Sequence, residues 1–543
     1  METVVTTRRS GIEFHHPIAF WVGTLMLGAG VCAHIPMFMM AAPSGFRMVD
    51  MPVDGVMIAG MFLIVAGLIL SVYGLIPRQA ALTLGHGEDG PAISLVSADN
   101  APLTRAHGKL FIVLIVALIV DIMKPATLGF VIPGMADYGI SRQTASWLAI
   151  TALTGTAVGS VIWGLIADTL GRRSAILLSS LMFVGTAICG AMPAFEWNLF
   201  MCFLMGASAG GLLPIAFTLM AETVPSRHRG WMLVLLGGIG TTGGYLAASA
   251  CAALLEPQFG WRVLWFLNLP TGLFLIALDR FLPESPRFLV HVGRNEEARH
   301  VLESYGVMVV TVEQANPSLA PDKSHHWMQS LFGRRVFALT IGLVLCGLAW
   351  GLVNFGFLLW LPSNLRGLGL VGGAAEALLA KSAFLALPGV LLVTYLYHKW
   401  STIKTITLFV AATGAALMGF FLLGSGSVHS SGWFVALTVV LLISVSGVIA
   451  MLVPYATEIY PVQVRGTGSG LVAGSSKAGG IAAAGLGVMG LFGSLTASSL
   501  TIAAVLAASA AVLAVKGIET RNRDIDDIYP GNSKEALTLP AGK

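Results

Sequence analysis

The stretch Gly164-Leu-Ile-Ala-Asp168-Thr-Leu-Gly171-Arg172-Arg173 lies between two apolar runs, Thr144–Ala167 and Ser174–Met192. Each run is long enough to cross a bilayer as a helix, which takes about 20 residues. A tight turn between two such helices has little room. Gly164 is therefore expected to let the backbones approach, and Gly171 to permit a left-handed corner. Asp168 is expected to accept hydrogen bonds from the start of the next helix. Arg172 and Arg173 are expected to hold the turn on the cytoplasmic side.

Composition agrees with a chain that lives in lipid. Of 543 residues, 56% are hydrophobic and 11% are charged, against about 25% charged in an ordinary soluble domain. The reading is an all-α polytopic membrane protein, not a globular enzyme with an anchor. The net charge of +4 gives no reason to expect nucleic acid. Cys32, Cys189, Cys202, Cys251 and Cys346 all fall in apolar runs without metal-ligand spacing, and read as packing residues. Arg8 and Arg9 precede an apolar run, Pro17 to about Ala42, that is too long for a signal-peptide core and reads as a first spanning helix. No G-x-x-x-x-G-K-[ST] loop is present, so no ATP site is expected, nor any cofactor or metal.

Further apolar segments place the turn in a larger plan. Two come first, near 17–42 and 54–77, followed by a polar stretch from Arg78 to His107 that reads as a linker. Six more lie near 109–132, 144–168, 173–192, 197–220, 231–254 and 263–282. After a polar region, six lie near 335–360, 375–398, 404–424, 433–455, 467–490 and 494–515. The expected domains are 1–107 (extra helix pair and linker), 108–282 (first six-helix half), 283–333 (cytoplasmic linker), 334–515 (second half) and 516–543 (cytoplasmic tail). With the N-terminus inside, most basic residues fall in inside loops. Only Arg47, Arg142, Arg262, Arg366 and Lys381 fall outside. The positive-inside rule selects that orientation, with both termini cytoplasmic and the protein in the cell (inner) membrane.

A repeat supports six plus six. Glu222-Thr-Val-Pro225-Ser-Arg-His-Arg229-Gly230 closes the fourth helix of the first half, and Glu458-Ile-Tyr-Pro461-Val-Gln-Val-Arg465-Gly466 closes that of the second. Both read E-x-x-P-x-x-x-R-G, and each Glu is expected to pair with the Arg that starts the next helix. The G-x-x-x-D-x-x-G-R-R turn resembles the loop between the second and third helices of the major facilitator superfamily. Pro283-Glu284-Ser285-Pro286-Arg287-Phe288-Leu289 resembles the P-E-S-P-R-W/F-L signature of its sugar-porter and metabolite:proton symporter branches. The resemblance covers about 108–520. It implies a duplicated bundle, a midplane substrate site between the halves, and a place for Glu284 and Arg287 in an arginine network at the inward gate. Ile518-Glu519-Thr520-Arg521 faintly resembles the sugar-porter tail P-E-T-K/R-G. The second half lacks its own copy of the turn pattern: Tyr397-His398-Lys399-Trp400-Ser401-Thr402-Ile403-Lys404 has neither the Asp nor the glycines, so the inner latch is expected to be asymmetric. Gly293–Tyr305 reads as an amphipathic helix with Ala298, Val301 and Leu302 on one face.

Charges inside apolar segments default to function, because burying one in lipid costs several kcal/mol, at about +2.5–3.5 on insertion scales. Asp121 and Lys124 are three apart and share a helix face. Pro125 removes the backbone donor that would serve the Asp121 carbonyl, so a broken or kinked helix is expected. The related symporters often carry D-x-x-D here, and Lys124 replaces the second acid. Lys477 sits near mid-depth among small residues, Gly474-Ser475-Ser476-Lys477-Ala478-Gly479-Gly480. Two lysines and one aspartate favour an organic anion carried with a proton. Asp121 is the proton-coupling candidate, and Lys124, Lys477, Asn354 and Trp350 are the substrate-binding candidates. Structural pairing of Asp121 with either lysine is the competing reading. His34 lies in an apolar run and could ligate haem in a bundle, though hydrogen-bonded core is the commoner fate of a lone histidine. The expected function is secondary transport of a small organic solute by alternating access. A multidrug exporter, a non-transporting sensor and an electron-transfer fusion built on the front pair are the alternatives.

Overall fold

The computed structural model describes residues 16–48, 51–75, 92–93, 102–135, 139–292, 294–307, 311–312, 334–370, 373–425, 431–460 and 465–520. The side chains of Arg142, Arg287 and Arg465 lie outside the described residues, as do Arg8, Arg9, most of the expected linker and the C-terminal tail.

Among the described residues, fourteen helices are long and apolar enough to cross a membrane: α1 Pro17–Met40, α2 Gly55–Leu75, α3 Arg105–Gly134, α4 Gln143–Leu170, α5 Arg172–Ala191, α6 Phe195–Thr223, α7 Arg227–Phe259, α8 Val263–Phe281, α9 Phe337–Gly367, α10 Ala374–Lys399, α11 Thr402–Gly424, α12 Gly432–Ile459, α13 Gly468–Val488 and α14 Leu495–Lys516. The fourteen expected segments are thus all helical. Only helices and closed barrels satisfy their backbone groups in hydrocarbon, and apolar runs of this length select the helix. One two-residue antiparallel pair, Ala92–Ile93 with Thr311–Val312, is the strand structure among the described residues.

The helices form two compact units. The first holds α1 to α3, most of α4, α5, α6, both ends of α7, and α8. The second holds α9 to α14, with Ser141–Trp147 and the middle of α7, Gly230–Leu246. In the first unit α6 packs on α3 and α5, and α8 packs on α5. In the second, α9 packs on α13 and α14, α11 on α12 and α14, and α10 on α12.

Within the first unit, α4 and α6 approach at backbone distance. A Cβ on Gly159 would meet the carbonyl of Ala207, and one on Gly206 that of Ala152. Helices in lipid gain little from hydrophobic exclusion, so close backbone packing of small residues carries the association. Gly206→Val is expected to cost at least the ~1–3 kcal/mol of an overpacked core, because the colliding atoms are backbone. A lowered thermal midpoint in detergent would register it; an unchanged midpoint would refute the packing role.

The extra pair α1 and α2 forms a hairpin of the same kind. Cβ atoms on Gly30 and Gly60 would stand 2.6 and 2.8 Å from each other's carbonyls, and those on Gly23 and Gly67 2.6 Å in each direction. The glycines recur every seven residues on each helix, which keeps one seam in register. The hairpin rests on α5, its loop reaches α7 through Phe46–Phe259 at 5.8 Å, and the end of α1 reaches α8 through Phe38–Phe266 at 5.0 Å. His34 stands where α1 breaks. It is wholly buried, with Nδ1 2.8 Å from the Gly30 carbonyl. The five cysteines are free thiols.

Candidate functional site

Asp121 and Lys124 are both buried in α3, and Lys124 Nζ donates to Asp121 Oδ1 at 3.2 Å. The helix runs through Pro125 without interruption, so the expected break does not occur. Tertiary packing holds both flanks helical, and Thr127 Oγ1 donates to the Lys124 carbonyl at 2.6 Å. Lys124 Nζ also lies 3.7 Å from the centre of the Phe183 ring of α5. An ammonium carries three donors, and among the described residues this one makes a single hydrogen bond, to Asp121. The arrangement is a desolvated cation with donor capacity beyond its internal partner, framed by a carboxylate and an aromatic face.

The other three binding candidates lie in the second unit. Lys477 on α13 is half-buried. Its small neighbours serve helix packing: a Cβ on Gly479 would collide with Leu348 of α9, and one on Gly347 would collide with Ser475. Trp350 is half-buried and donates Nε1 to the Val445 carbonyl at 2.9 Å, so its polar group is committed to the fold. Asn354 falls in a π-helical turn, Val353–Leu358, within α9. Such turns occur frequently at functional sites. Asn354 is half-buried, and its amide makes no hydrogen bond among the described residues.

The Gly164–Arg173 turn is built differently from expectation. Gly171 has φ +97°, as a left-handed corner requires. Gly164 faces open space. Asp168 is still inside α4, so its side chain cannot swing round to the N–H groups of α5. It is exposed and lies 3.4 Å from Arg172 Nη2. The cap comes from Glu284, which accepts from the backbone N–H of Arg172 at 2.8 Å, of Arg173 at 3.3 Å and of Ser285 at 2.9 Å. Burial pushes the Glu284 carboxyl above the usual glutamate range, and those N–H donors together with the Arg172 guanidinium pull it back. Arg173 Nε donates to buried Asp279 of α8 at 2.8 Å.

Glu222 pairs with Arg172 Nη2 at 3.4 Å and accepts from Ser285 Oγ; it does not pair with Arg229. Arg229 turns back along its own chain, Nη2 donating to the Val224 carbonyl at 3.3 Å. The segment after α8 therefore ties together the α4–α5 turn and the end of α6. A short helix, Asn295–Ser304, follows and buries Ala298, Val301 and Leu302.

The second unit repeats this joint with other residues. Glu519, in the segment after α14, accepts from Thr402 N at 3.0 Å, from Thr402 Oγ1 at 2.7 Å and from Ser401 Oγ, and so caps α11. Thr520 Oγ1 donates to Glu458 at the end of α12 at 2.6 Å, and the Tyr397 hydroxyl donates to it at 3.3 Å. Glu519-Thr520 thus does in its unit what Glu284-Ser285 does in the other. The missing Asp and glycines do not abolish the latch, because Ser401 and Thr402 supply hydroxyl and backbone donors. Reading the sequence missed Asp279, Phe183, Thr402, Tyr397 and Thr520. An acid inside an apolar run was a visible signal for Asp279, and the faint tail pattern was one for Thr520; the others carry none until the chain is folded.

The chain matches the model of the Major Facilitator Superfamily over residues 110–485. It is 27% identical to the niacin transporter NiaP of Acinetobacter baylyi, covering 79% of this chain and 98% of that one. It is 28% identical to the 4-hydroxybenzoate transporter PcaK of the same organism, covering 77% and 92%. Among solved structures, the inward-open, partly occluded xylose transporter XylE of E. coli aligns with TM-score 0.60 at 15% identity, covering 77% of this chain and all of that one. The last similarity is one of fold.

Proposed function

This chain belongs to the Major Facilitator Superfamily and is an integral multi-pass membrane transporter of a small organic solute, and from that premise we propose that it carries an aromatic monocarboxylate together with a proton. The observation that carries the reading is Lys124: a buried ammonium with one carboxylate partner, unused donor capacity and an aromatic ring against it. A carboxylate satisfies the ammonium, and an aromatic ring bearing that carboxylate extends the apolar contact begun by Phe183. The curated relatives named for niacin, 4-hydroxybenzoate and benzoate transport support the same class.

Asp121 is the coupling acid in this reading. An entering carboxylate competes with it for Lys124, and a proton on Asp121 removes the repulsion between the two anions. Alternating access then moves neutralised Asp121 and bound substrate together, in the cell (inner) membrane with both termini cytoplasmic. Asn354 and Lys477 are proposed as substrate-binding residues of the second unit.

The test is uptake of labelled benzoate and nicotinate into proteoliposomes with and without an inward proton gradient. Wild-type protein is expected to accumulate substrate only with the gradient, and Asp121→Asn only to equilibrate it. Gradient-driven accumulation by Asp121→Asn would exclude the coupling role.

A further inference from the structure

The two joints differ in their supply of protons. In the first unit the donors to Glu222 are the Ser285 hydroxyl and Arg172, a guanidinium that is always charged. In the second unit four oxygens stand in a line: Glu519 Oε1, Thr402 Oγ1, Thr520 Oγ1 and Glu458 Oε2. Their successive separations are 2.7, 2.9 and 2.6 Å.

Each separation is that of an O–H···O hydrogen bond, and each such bond needs one proton between its two oxygens. The two threonines bring one hydroxyl proton apiece. Three contacts and two protons leave one contact with facing lone pairs. The backbone does not supply the missing donor: Thr402 N points to Glu519 Oε1 at 3.0 Å and Thr520 N to Thr402 Oγ1 at 3.2 Å. A proton on one of the two carboxyl groups would complete all three contacts.

We propose that Glu458 and Glu519 hold one proton in common, relayed through Thr402 and Thr520. With the acid at Glu519, its O–H donates to Thr402, Thr402 donates to Thr520, and Thr520 donates to the Glu458 carboxylate. Moving each of the three protons across its own hydrogen bond leaves the acid at Glu458 and the carboxylate at Glu519. No atom is gained or lost, and the net charge of the pair stays at one negative.

The surroundings suit that charge. No cation pairs with Glu458 among the described residues. Its remaining partner is the Tyr397 hydroxyl, and a Ser401 hydroxyl serves Glu519. Tyr455 on α12 directs its hydroxyl to the Ile518 carbonyl at 2.6 Å, outside the relay. From α7 the approach is made by Gly230, which brings no side chain; a Cβ there would stand 3.4 Å from Glu458 Oε1. Among the described residues, the other ionisable groups next to the relay along its elements are His398 and Lys399 at the end of α10, Lys404 in the first turn of α11, Lys516 in the last turn of α14, Arg229 beside Gly230 on α7, and Tyr460 past the end of α12, bonded to Thr340 at 3.0 Å. The relay joins the α10–α11 turn, the end of α12 and the segment behind α14. Loss of the shared proton sets two carboxylates against each other there and loosens the joint. The first unit, with its arginine, lacks that sensitivity.

Infrared difference spectroscopy on the full-length protein tests this directly. Subtracting either Glu458→Gln or Glu519→Gln from the wild type near neutral pH is expected to reveal the same carbonyl band of a protonated carboxylic acid. Each amide supplies the third donor and removes one of the two acids, so the band is lost in both variants. Should either Gln variant fail to fold, Thr402→Ser is expected to keep the band and Thr520→Val to remove or displace it. A wild type without such a band, a band removed by only one of the two Gln variants, or a band untouched by Thr520→Val would each overturn the shared proton. The readout needs no substrate, so it fails or succeeds separately from the aromatic-carboxylate reading.

Discussion

Lys124→Ala is expected to abolish uptake of aromatic carboxylates and to destabilise the first unit by about 3–5 kcal/mol, the usual consequence of stranding one member of a buried ion pair. Asp121 would keep its burial and lose its 3.2 Å partner. The double replacement Asp121→Asn with Lys124→Met separates the two effects. It removes both charges of this pair, so the thermal midpoint is expected to return to within a few degrees of wild type while uptake stays absent. Retained uptake in either variant would remove Lys124 from the substrate path. A double variant as unstable as Lys124→Ala would show that the pair holds the helices together through more than charge.

Glu284→Ala is expected to be the second large effect, and Glu284→Gln a small one. Alanine strands the N–H groups of Arg172, Arg173 and Ser285, at about 1–3 kcal/mol for each buried donor left without an acceptor. It also frees the turn that Gly171 has committed to a left-handed corner. Glutamine keeps the shape and an acceptor oxygen. Because burial raises the Glu284 carboxyl in the folded state, the native state holds that proton more tightly than the unfolded chain. Its contribution to stability is therefore full below the ordinary glutamate value and declines as pH rises through the raised one. The thermal midpoint of the wild type is expected to gain on Glu284→Gln as the pH is lowered through that window. A gap that stays constant across it would show that the carboxyl is not displaced upward.

The candidate site was legible to unequal degrees. Asp121 and Lys124 stood out because a charge in an apolar run has few explanations, and their spacing of three placed them on one face. Phe183 could not be found that way, since one aromatic among 48 in an apolar chain carries no mark. Asp168 shows the opposite failure. Its place in a familiar pattern suggested a cap, but a side chain one turn inside a helix points along that helix, and a residue more than a hundred positions away did the capping. Glu222 and Arg229 lie within one E-x-x-P-x-x-x-R motif and were the expected partners. Folding instead brought Glu222 beside Arg172 and Ser285, while Arg229 found a backbone carbonyl within its own turn.

What the sequence by itself determined is the number of helices, their approximate ends, the duplicated plan and the family. Those follow from periodic and local facts: the length of apolar runs, the glycine that a corner demands, and a motif that recurs 236 residues later. What only the tertiary structure decided is which polar group serves which. Helix-start donors, buried carboxyls and hydroxyls all need partners once water is excluded, and each has several chemically equivalent choices along the chain. The choice depends on which segments the packed helices bring within about 3 Å of one another, and that is how Glu519 and Thr520, in a stretch that only faintly kept its pattern, came to close the second joint.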